Sequence, residues 1–128
     1  MIKSYELLIY PRKLFVSVGY DEDEIRSSFV ESDGKALSFE DIDIDLIDGL
    51  TVTEVKEVKG RDLGVLIIIK DPEDLSVLVH ESAHAANSIC EQLGMKIQPD
   101  NDESYCYLIQ FIFKCVNEAV YCRDSYQE

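Results

Sequence analysis

The chain has 128 residues, which is enough for one well-packed core but too few for two comfortable domains. Hydrophobic residues make up 46% of it and charged residues 30%, a globular rather than a disordered composition. The 26 acidic and 12 basic residues give a net charge of −14, which argues against binding to nucleic-acid backbones or anionic membrane surfaces. We therefore expect a single domain over residues 1–128, with no nucleic acid and no membrane as partner.

The apolar segments predict no membrane span. The longest of them, residues 65–69 and 108–116, fall well short of the roughly 20 residues that a spanning helix needs, and no signal peptide is visible. The four cysteines include no CxxC pair, so buried free thiols in a reducing compartment are the favoured interpretation. A structural zinc site built from Cys115 and Cys122 is the weaker alternative. These features predict a soluble, cytoplasmic protein.

The first half of the chain predicts a sheet. Four apolar or alternating runs have the composition of strands, at residues 4–10, 13–18, 51–58 and 65–69. Acidic residues at 21–24, followed by Ile25 and Phe29, predict a short helix. The alternating aspartates of residues 41–48 favour a solvated edge strand or loop over a calcium site, because Leu46 and Val52 stand where a calcium loop requires glycine and glutamate.

The second half predicts two long helices. Asp71 is a good N-cap and Pro72 suits the first helical position, so we expect a helix from there to just before Gly94. A second helix is expected over about residues 103–121. The sequence therefore predicts an α+β fold, in which a twisted sheet of about four strands packs on the first helix and a second long helix lies at the C-terminus.

An HExxH motif lies inside the first predicted helix, as His80-Glu81-Ser82-Ala83-His84. Residues four apart lie one turn apart on the same helix face, so both imidazoles can reach one zinc ion. Glu81 is rotated about 100° from His80 and can activate water as a general base without being a ligand. The chain has two histidines in all, and both stand where one zinc ion needs them. The simpler alternative is a pair of surface histidines that binds no metal.

A third ligand is predicted on the second helix. Catalytic zinc takes three protein ligands and leaves one position for water. Glu103 follows His84 with 18 residues between them and stands at the first turn of the next predicted helix. Residues 94–99 are a plausible reversal that lets this helix pack back across the first. Asp100 and Asp102 are rival ligands, although Asp102 points about 100° away from Glu103.

The second helix is mostly apolar and carries one narrow polar stripe. The stripe consists of Glu103, Tyr107, Gln110, Lys114, Asn117 and Glu118. A largely buried helix that keeps polar side chains in line with Glu103 is what a lined metal cleft needs. The alternative is that the stripe faces solvent.

The spacing HExxH-x18-E resembles the gluzincin division of the zincin metallopeptidases. In that comparison His80, His84 and Glu103 match the zinc ligands, and Glu81 matches the general base. The layout of the whole chain, most directly residues 9–14, 78–85 and 101–105, looks like small single-domain metallopeptidases of tailed phages and prophages. This resemblance implies a zincin-like fold, Zn²⁺ as cofactor, and host cytoplasm as the location if the gene is phage-encoded.

Two features depart from the gluzincin pattern. Tyr107 stands where many gluzincins have an acid that orients the first histidine, a role that a hydroxyl fills only in part. Larger gluzincins also have a C-terminal subdomain with an oxyanion-stabilising side chain, for which this sequence has no equivalent histidine. Candidates for that role here are Tyr105, Tyr107, Tyr10, Arg12 and Lys70.

The leading interpretation is a zinc-dependent metallopeptidase that hydrolyses a peptide or amide bond in a peptide or protein substrate. The run at residues 65–69 precedes the motif helix, as the substrate-lining strand does in zincins, and a plain core strand is an equal alternative. The alternative function is a non-catalytic, metal-binding zincin-fold module that acts in phage assembly or host-protein interaction. A homodimer is also predicted if the monomer leaves Phe111, Phe113, Val116 and Val120 exposed.

Overall fold

The computed structural model describes residues 1–126. Within that range the chain forms an α+β fold with one mixed five-stranded sheet and three α-helices. The strands are β1 (Ile2–Glu6), β2 (Lys13–Val18), β3 (Phe29–Glu31), β4 (Gly49–Glu57) and β5 (Leu63–Ile69), and the helices are α1 (Glu22–Ser28), α2 (Leu75–Gln92) and α3 (Glu103–Tyr126). The predicted α+β class is confirmed. The sheet has five strands rather than about four, because the three-residue β3 is too short to give a sequence pattern.

The strands lie in the order β1-β2-β5-β4-β3. The central pair, β2 and β5, is parallel, and the other neighbours are antiparallel. The residues of β5 from Gly64 to Ile69 are all buried, as expected for a central strand that is covered on both faces. The pairing of β4 is uneven, since β3 contacts only its last part, Val55 to Glu57.

Two predicted strands are shorter or absent. The strand predicted at residues 4–10 ends at Glu6. The chain then forms a turn, in which the backbone N–H of Tyr10 donates to the carbonyl of Leu7 at 2.9 Å. Residues 41–48 form turns and the short 3₁₀ helix Ile44–Leu46 instead of a strand, which agrees with the loop alternative. The side chain of Asp43 caps that helix by accepting from the backbone N–H of Asp45 at 3.2 Å. One of the alternating aspartates, Asp43, thus stabilises a local turn rather than a strand.

Helix α2 begins three residues later than predicted. Asp71 accepts a hydrogen bond from the backbone N–H of Glu73 in a separate turn, and Asp74 is the N-cap. The carboxylate of Asp74 accepts from both the hydroxyl and the backbone N–H of Ser76, which holds the pKa of Asp74 below its usual value. The C-terminal end agrees with the prediction, because Gly94 takes the left-handed φ of +69° directly after the cap.

Two hydrophobic clusters cover the two faces of the sheet. On one face, α2 and α3 lie side by side over apolar residues of β2 and β5. On the other face, α1 and the segment that follows β3 cover a smaller cluster around Phe15, Phe29 and Leu66. Since α2 contacts β4 and β5 while α3 contacts β2, the side of α2 next to β4 is turned away from α3. This arrangement decides which residues surround the HExxH motif.

The C-terminal helix is fixed to the sheet on its β1 side. The carboxylate of Glu118 accepts hydrogen bonds from Lys3 Nζ, at 2.6 Å, and from the hydroxyl of Tyr5. Val116 and Val120 lie on the buried face of this helix. Phe111 and Phe113 are half-buried against the same core. These four side chains therefore do not form the exposed face on which the predicted homodimer depended.

None of the helices in residues 1–126 combines the length and the hydropathy needed to cross a bilayer.

Candidate metal centre and cleft

The two histidines of the motif converge at their outer ring atoms. His80 and His84 lie one turn apart on the exposed side of α2. Their Nε2 atoms are 3.1 Å apart, and their rings are nearly perpendicular. The helix backbone alone accounts for this approach, because side chains four residues apart lie one above the other.

This separation fits a shared metal ligand pair. Two nitrogens that each lie about 2.05 Å from one tetrahedral zinc ion are about 3.3 Å apart. The observed 3.1 Å corresponds to an angle of roughly 98° at such an ion, which is within the range of distorted tetrahedral sites. The same separation also suits a hydrogen bond between a protonated and an unprotonated ring nitrogen. The pair is therefore chemically suited to a divalent metal but does not require one.

Glu81 is buried between α2 and β4. Its side chain is only 6% exposed. The hydroxyl of Thr51 on β4 lies 2.7 Å from Glu81 Oε1 and 3.2 Å from the backbone oxygen of Glu81. Gly49 packs so closely against this side chain that a Cβ there would lie 2.9 Å from Glu81 Cγ. The strand thus holds one carboxylate oxygen and confines the side chain.

A cleft runs between β4 and α2 and has its middle at the motif. The cleft has two lobes. One lobe, of about 420 Å³, is lined in part by Leu50, Thr51, Thr53, His84, Asn87, Ser88 and Glu91. The other lobe, of about 380 Å³, is lined by Ile47, Asp48, Ser76 and Val77 and by the shared residues. Gly49, His80 and Glu81 belong to both lobes. An elongated molecule in this cleft would pass both a histidine and the buried carboxylate.

The strand beside the motif is β4 and not the run at residues 65–69. That run is β5, which lies at the centre of the sheet between β2 and β4, so the core-strand alternative is the one that applies. Residues Gly49 to Val52 of β4 pair with β5 on one side, whereas β3 pairs only from Val55 onward. The first half of β4 therefore has no strand partner on its outer edge within residues 1–126.

Glu103 is not brought to the histidine pair. It is the first residue of α3, its side chain is exposed, and it is not among the residues that line the cleft. In the described part of the chain, no three His, Cys, Asp or Glu side chains are grouped so that they could hold a metal ion. The rival ligands Asp100 and Asp102 are therefore not grouped with the two histidines either. The packing of α3 against β2, on the far side of α2 from β4, explains the separation.

The polar stripe of α3 faces solvent. All six of its members are exposed, so the alternative of a solvent-facing stripe applies and not that of a metal cleft. Tyr107 lines a different, apolar depression next to Leu8 and Phe111 and not the cleft at the motif. Tyr105 is closer to the site, because it lies beside Asn87, a cleft residue. Burial raises the pKa of Tyr105, and the neighbouring Asn87 side chain opposes this in part.

The other oxyanion candidates have different partners. Arg12 Nε donates to Gln92 Oε1 at 2.8 Å, and Lys70 Nζ donates to the carbonyl of Ile44. Tyr10 lines the apolar depression that also contains Tyr107. None of these three is among the described residues that line the cleft.

Sequence reasoning missed Gly49 and Thr51. The motif gave no reason to select them, because they precede Glu81 by some 30 positions and belong to another element. A weak signal exists in the alternation of Gly49, Thr51 and Thr53, three small residues on one face of a strand. Which strand would lie beside the helix, however, depends on the sheet order, which no local pattern encodes.

Comparison with protein-family models, curated proteins and solved structures finds no match to this chain.

Proposed function

We propose that this protein is a zinc-dependent hydrolase of peptide or amide bonds, with the HExxH segment of α2 as its centre. One observation carries the proposal. The Nε2 atoms of His80 and His84 converge to 3.1 Å at the wall of a cleft, beside a carboxylate that is 6% exposed. Convergent imidazoles next to a buried acid are the combination that metal-assisted hydrolysis needs.

The residues divide the chemistry between them. His80 and His84 would hold the metal through Nε2. Zinc, when bound, supplies a Lewis acid that acidifies water and polarises a carbonyl group. Glu81 accepts the proton from the attacking water and later delivers it to the leaving amine. Its Oε1 is held by Thr51, so Oε2 is the oxygen left for this proton transfer.

The open edge of β4 supports an extended peptide as the substrate. Backbone groups of Gly49 to Val52 have a strand partner on one side only. A peptide that pairs there would gain main-chain hydrogen bonds irrespective of its side chains, and its course would follow the cleft. The zincin-like fold and the relationship to small phage metallopeptidases belong to the same proposal. The four free cysteines suit the cytoplasmic location that accompanies it.

Glu103 remains the proposed third ligand on the grounds of its spacing from His84. Its exposed position at the start of α3 means that the first turn of this helix, or the α2–α3 connection, would have to rearrange for it to reach the histidines. A site with His80 and His84 as its protein ligands, completed by water, is the competing arrangement. The two differ in their expected zinc affinity.

A non-catalytic metal-binding module is the second candidate function. It is favoured by the cleft lining, in which the described side chains include no tyrosine, lysine or arginine near Glu81 to stabilise an oxyanion. Such a module would act by binding a phage or host protein. Metal binding is common to both candidates, and hydrolysis separates them.

Zinc binding and hydrolysis are tested separately. Untagged protein is titrated with zinc, and the wild type is compared with the His80→Ala/His84→Ala double variant and with Glu103→Ala and Asp102→Ala. No zinc bound by the wild type would refute the metal centre. A loss of affinity of tenfold or more in Glu103→Ala, but not in Asp102→Ala, would support Glu103 as a ligand, and equal affinities would exclude it.

For hydrolysis, the Glu81→Gln variant should keep its zinc and lose cleavage of a mixed peptide library read by mass spectrometry. Cleavage that persists in this variant would refute the role of Glu81. A zinc-binding wild type that cleaves no peptide in the library would favour the non-catalytic candidate.

A further inference from the structure

The two lobes of the cleft each contain an unpaired carboxylate. Asp48 lines the lobe next to the start of α2, and Glu91 lines the lobe next to its end. Within residues 1–122, neither side chain takes part in an ion pair or a hydrogen bond. Neither lobe is lined by a lysine or an arginine among the described residues. The cleft thus has a carboxylate at each end and no basic side chain among its described lining residues.

Both carboxylates are attached to well-defined backbone. The carbonyl of Asp48 accepts hydrogen bonds from the backbone N–H groups of Lys70, at 2.8 Å, and Asp71, at 3.0 Å. Glu91 lies in the last turns of α2. Positions on such backbone can select a ligand, because little order has to be imposed when the ligand binds.

The spacing of the two acids matches an extended chain. Glu91 follows Glu81 by ten residues, which is about 15 Å along a helix axis. Asp48 precedes Thr51 by three residues, which is about 10 Å along a strand. An extended peptide advances about 3.4 Å per residue. Measured from the point where Glu81 meets such a peptide, Asp48 therefore lies about three residues away and Glu91 about four to five residues away in the other direction.

We infer that the cleft selects extended peptides that carry lysine or arginine on both sides of the reacting bond, about three residues from it on the side of Asp48 and about four to five residues from it on the side of Glu91. Asp48 and Glu91 are then the residues that recognise the two positive charges. The inference rests on the proposed function in that it takes an extended peptide as the occupant. The net charge of −14 adds long-range attraction for such peptides but gives no position, whereas the two cleft carboxylates do.

Binding is measured with zinc-loaded Glu81→Gln protein, so that the peptide is not consumed. The probes are two fluorescein-labelled decapeptides, (Lys-Ala)5 and (Gln-Ala)5. Their binding is followed by fluorescence anisotropy at about 0.15 M salt, where the Debye length is about 8 Å. The Asp48→Asn/Glu91→Gln double variant is compared with Asp41→Asn/Glu40→Gln. The second pair removes the same two charges from exposed residues that are not among the cleft-lining ones. Thermal unfolding confirms that both double variants are folded.

The lysine peptide should bind at least tenfold more tightly than the glutamine peptide. Removal of Asp48 and Glu91 should weaken its binding by about three- to tenfold, since exposed ion pairs each contribute modestly. Removal of Asp41 and Glu40 should change binding by less than about twofold, because charges beyond a Debye length are screened. Equal losses in the two double variants, or equal binding of the two peptides, would overturn the inference.

Cleavage of the same two peptides by the wild type separates this inference from the proposed function. If neither peptide is cleaved but binding of the lysine peptide depends on Asp48 and Glu91, the result contradicts the proposed hydrolysis and supports the charge selection. If both peptides are cleaved equally well and the two double variants bind the lysine peptide with equal affinity, the result supports the proposed hydrolysis and contradicts the charge selection.

Discussion

The hydroxyl of Thr51 lies 2.7 Å from Oε1 of Glu81 and joins strand β4 to the glutamate of the HExxH motif. The same hydroxyl lies 3.2 Å from the backbone oxygen of Glu81, so one β4 side chain faces both acceptors of that residue. A carboxylate with 6% exposure needs such a donor, because an ionised group without a partner is costly to bury. Thr51 is therefore a positioning residue for the proposed general base.

Thr51→Val removes this donor and keeps the β-branched shape. We expect the free energy of unfolding to fall by about 1–3 kcal/mol, since a buried acceptor loses its partner. Hydrolysis should fall by about 10- to 100-fold with little change in zinc affinity, as is usual when the group that orients a functional side chain is lost. Urea denaturation, peptide cleavage and zinc titration measure the three quantities.

Thr51→Ser is the matched control, because it keeps the hydroxyl and should retain most of the stability and activity. A double-mutant cycle with Glu81→Gln isolates the pair from other effects of the substitution. A coupling energy of zero between positions 51 and 81 would contradict the role of Thr51.

The close approach of Gly49 to α2 gives a second prediction. A Cβ at this position would lie 2.9 Å from Glu81 Cγ and 2.9 Å from Val77 Cγ1, closer than such atoms normally come. Gly49→Ala should therefore push β4 and α2 apart and reduce the free energy of unfolding by about 1–3 kcal/mol. It should also displace the carboxylate of Glu81 and reduce hydrolysis. Urea denaturation and peptide cleavage test both effects.

The control for this prediction is the same Gly49→Ala substitution made in a Val77→Ala protein. In a Val77→Ala protein one of the two close contacts is absent, so Gly49→Ala should cost less there than in the wild type. An identical cost in both backgrounds would mean that the contact with α2 is not the cause.

The elements that could be predicted are those that local chemistry determines. The buried run of β5, the apolar arc of α2 and the left-handed Gly94 after α2 each depend on residues that are close together in sequence. The helix that carries the motif was predicted for the same reason, and it places His80 and His84 one turn apart. The loop at residues 41–48 was ambiguous, since alternating aspartates suit either a solvated strand or successive Asx turns.

The surroundings of the motif depend on contacts between distant segments. A polar stripe on a mostly apolar helix is compatible both with a metal cleft and with solvent, and the packing of α3 on β2 decides for solvent. The bond of Glu118 to Lys3 joins residues 115 positions apart and helps to fix that packing. Such pairings follow from the order of strands in the sheet, so the lining of the cleft could not be derived from periodicity.

The turn after β1 contains a strained residue. Leu8 has a φ of +56°, in the left-handed region that a leucine rarely adopts, and its side chain is 73% exposed. Leu8→Asn should raise the free energy of unfolding by about 0.5–1 kcal/mol, because asparagine tolerates this conformation and little apolar burial is lost. Ile9→Asn is the control, since Ile9 is 88% exposed and is not among the residues with positive φ. Equal effects of the two substitutions in urea denaturation would exclude relief of strain.

The carboxyl of Glu118 gives the clearest pH dependence. Hydrogen bonds from Cys122, Lys3 and Tyr5 lower the pKa of Glu118 from its ordinary value of 4.5 to about 2. A carboxyl whose pKa is lower in the folded chain stabilises the fold above its unfolded pKa, and this contribution is lost as the pH falls toward the folded pKa. The contribution should therefore be complete above about pH 4.5 and vanish near pH 2.

Glu118→Gln removes this contribution. At pH 7 we expect the variant to be less stable than the wild type by roughly 1 kcal/mol, since the side chain is 46% exposed and solvent screens its contacts. The difference should shrink steadily as the pH is lowered from 4.5 to 3, measured by urea denaturation at each pH. Glu40→Gln, which removes an exposed carboxylate that has no ion pair among residues 1–122, should show no such convergence. A stability difference for Glu118→Gln that is independent of pH would contradict the stabilising role of its ionised form.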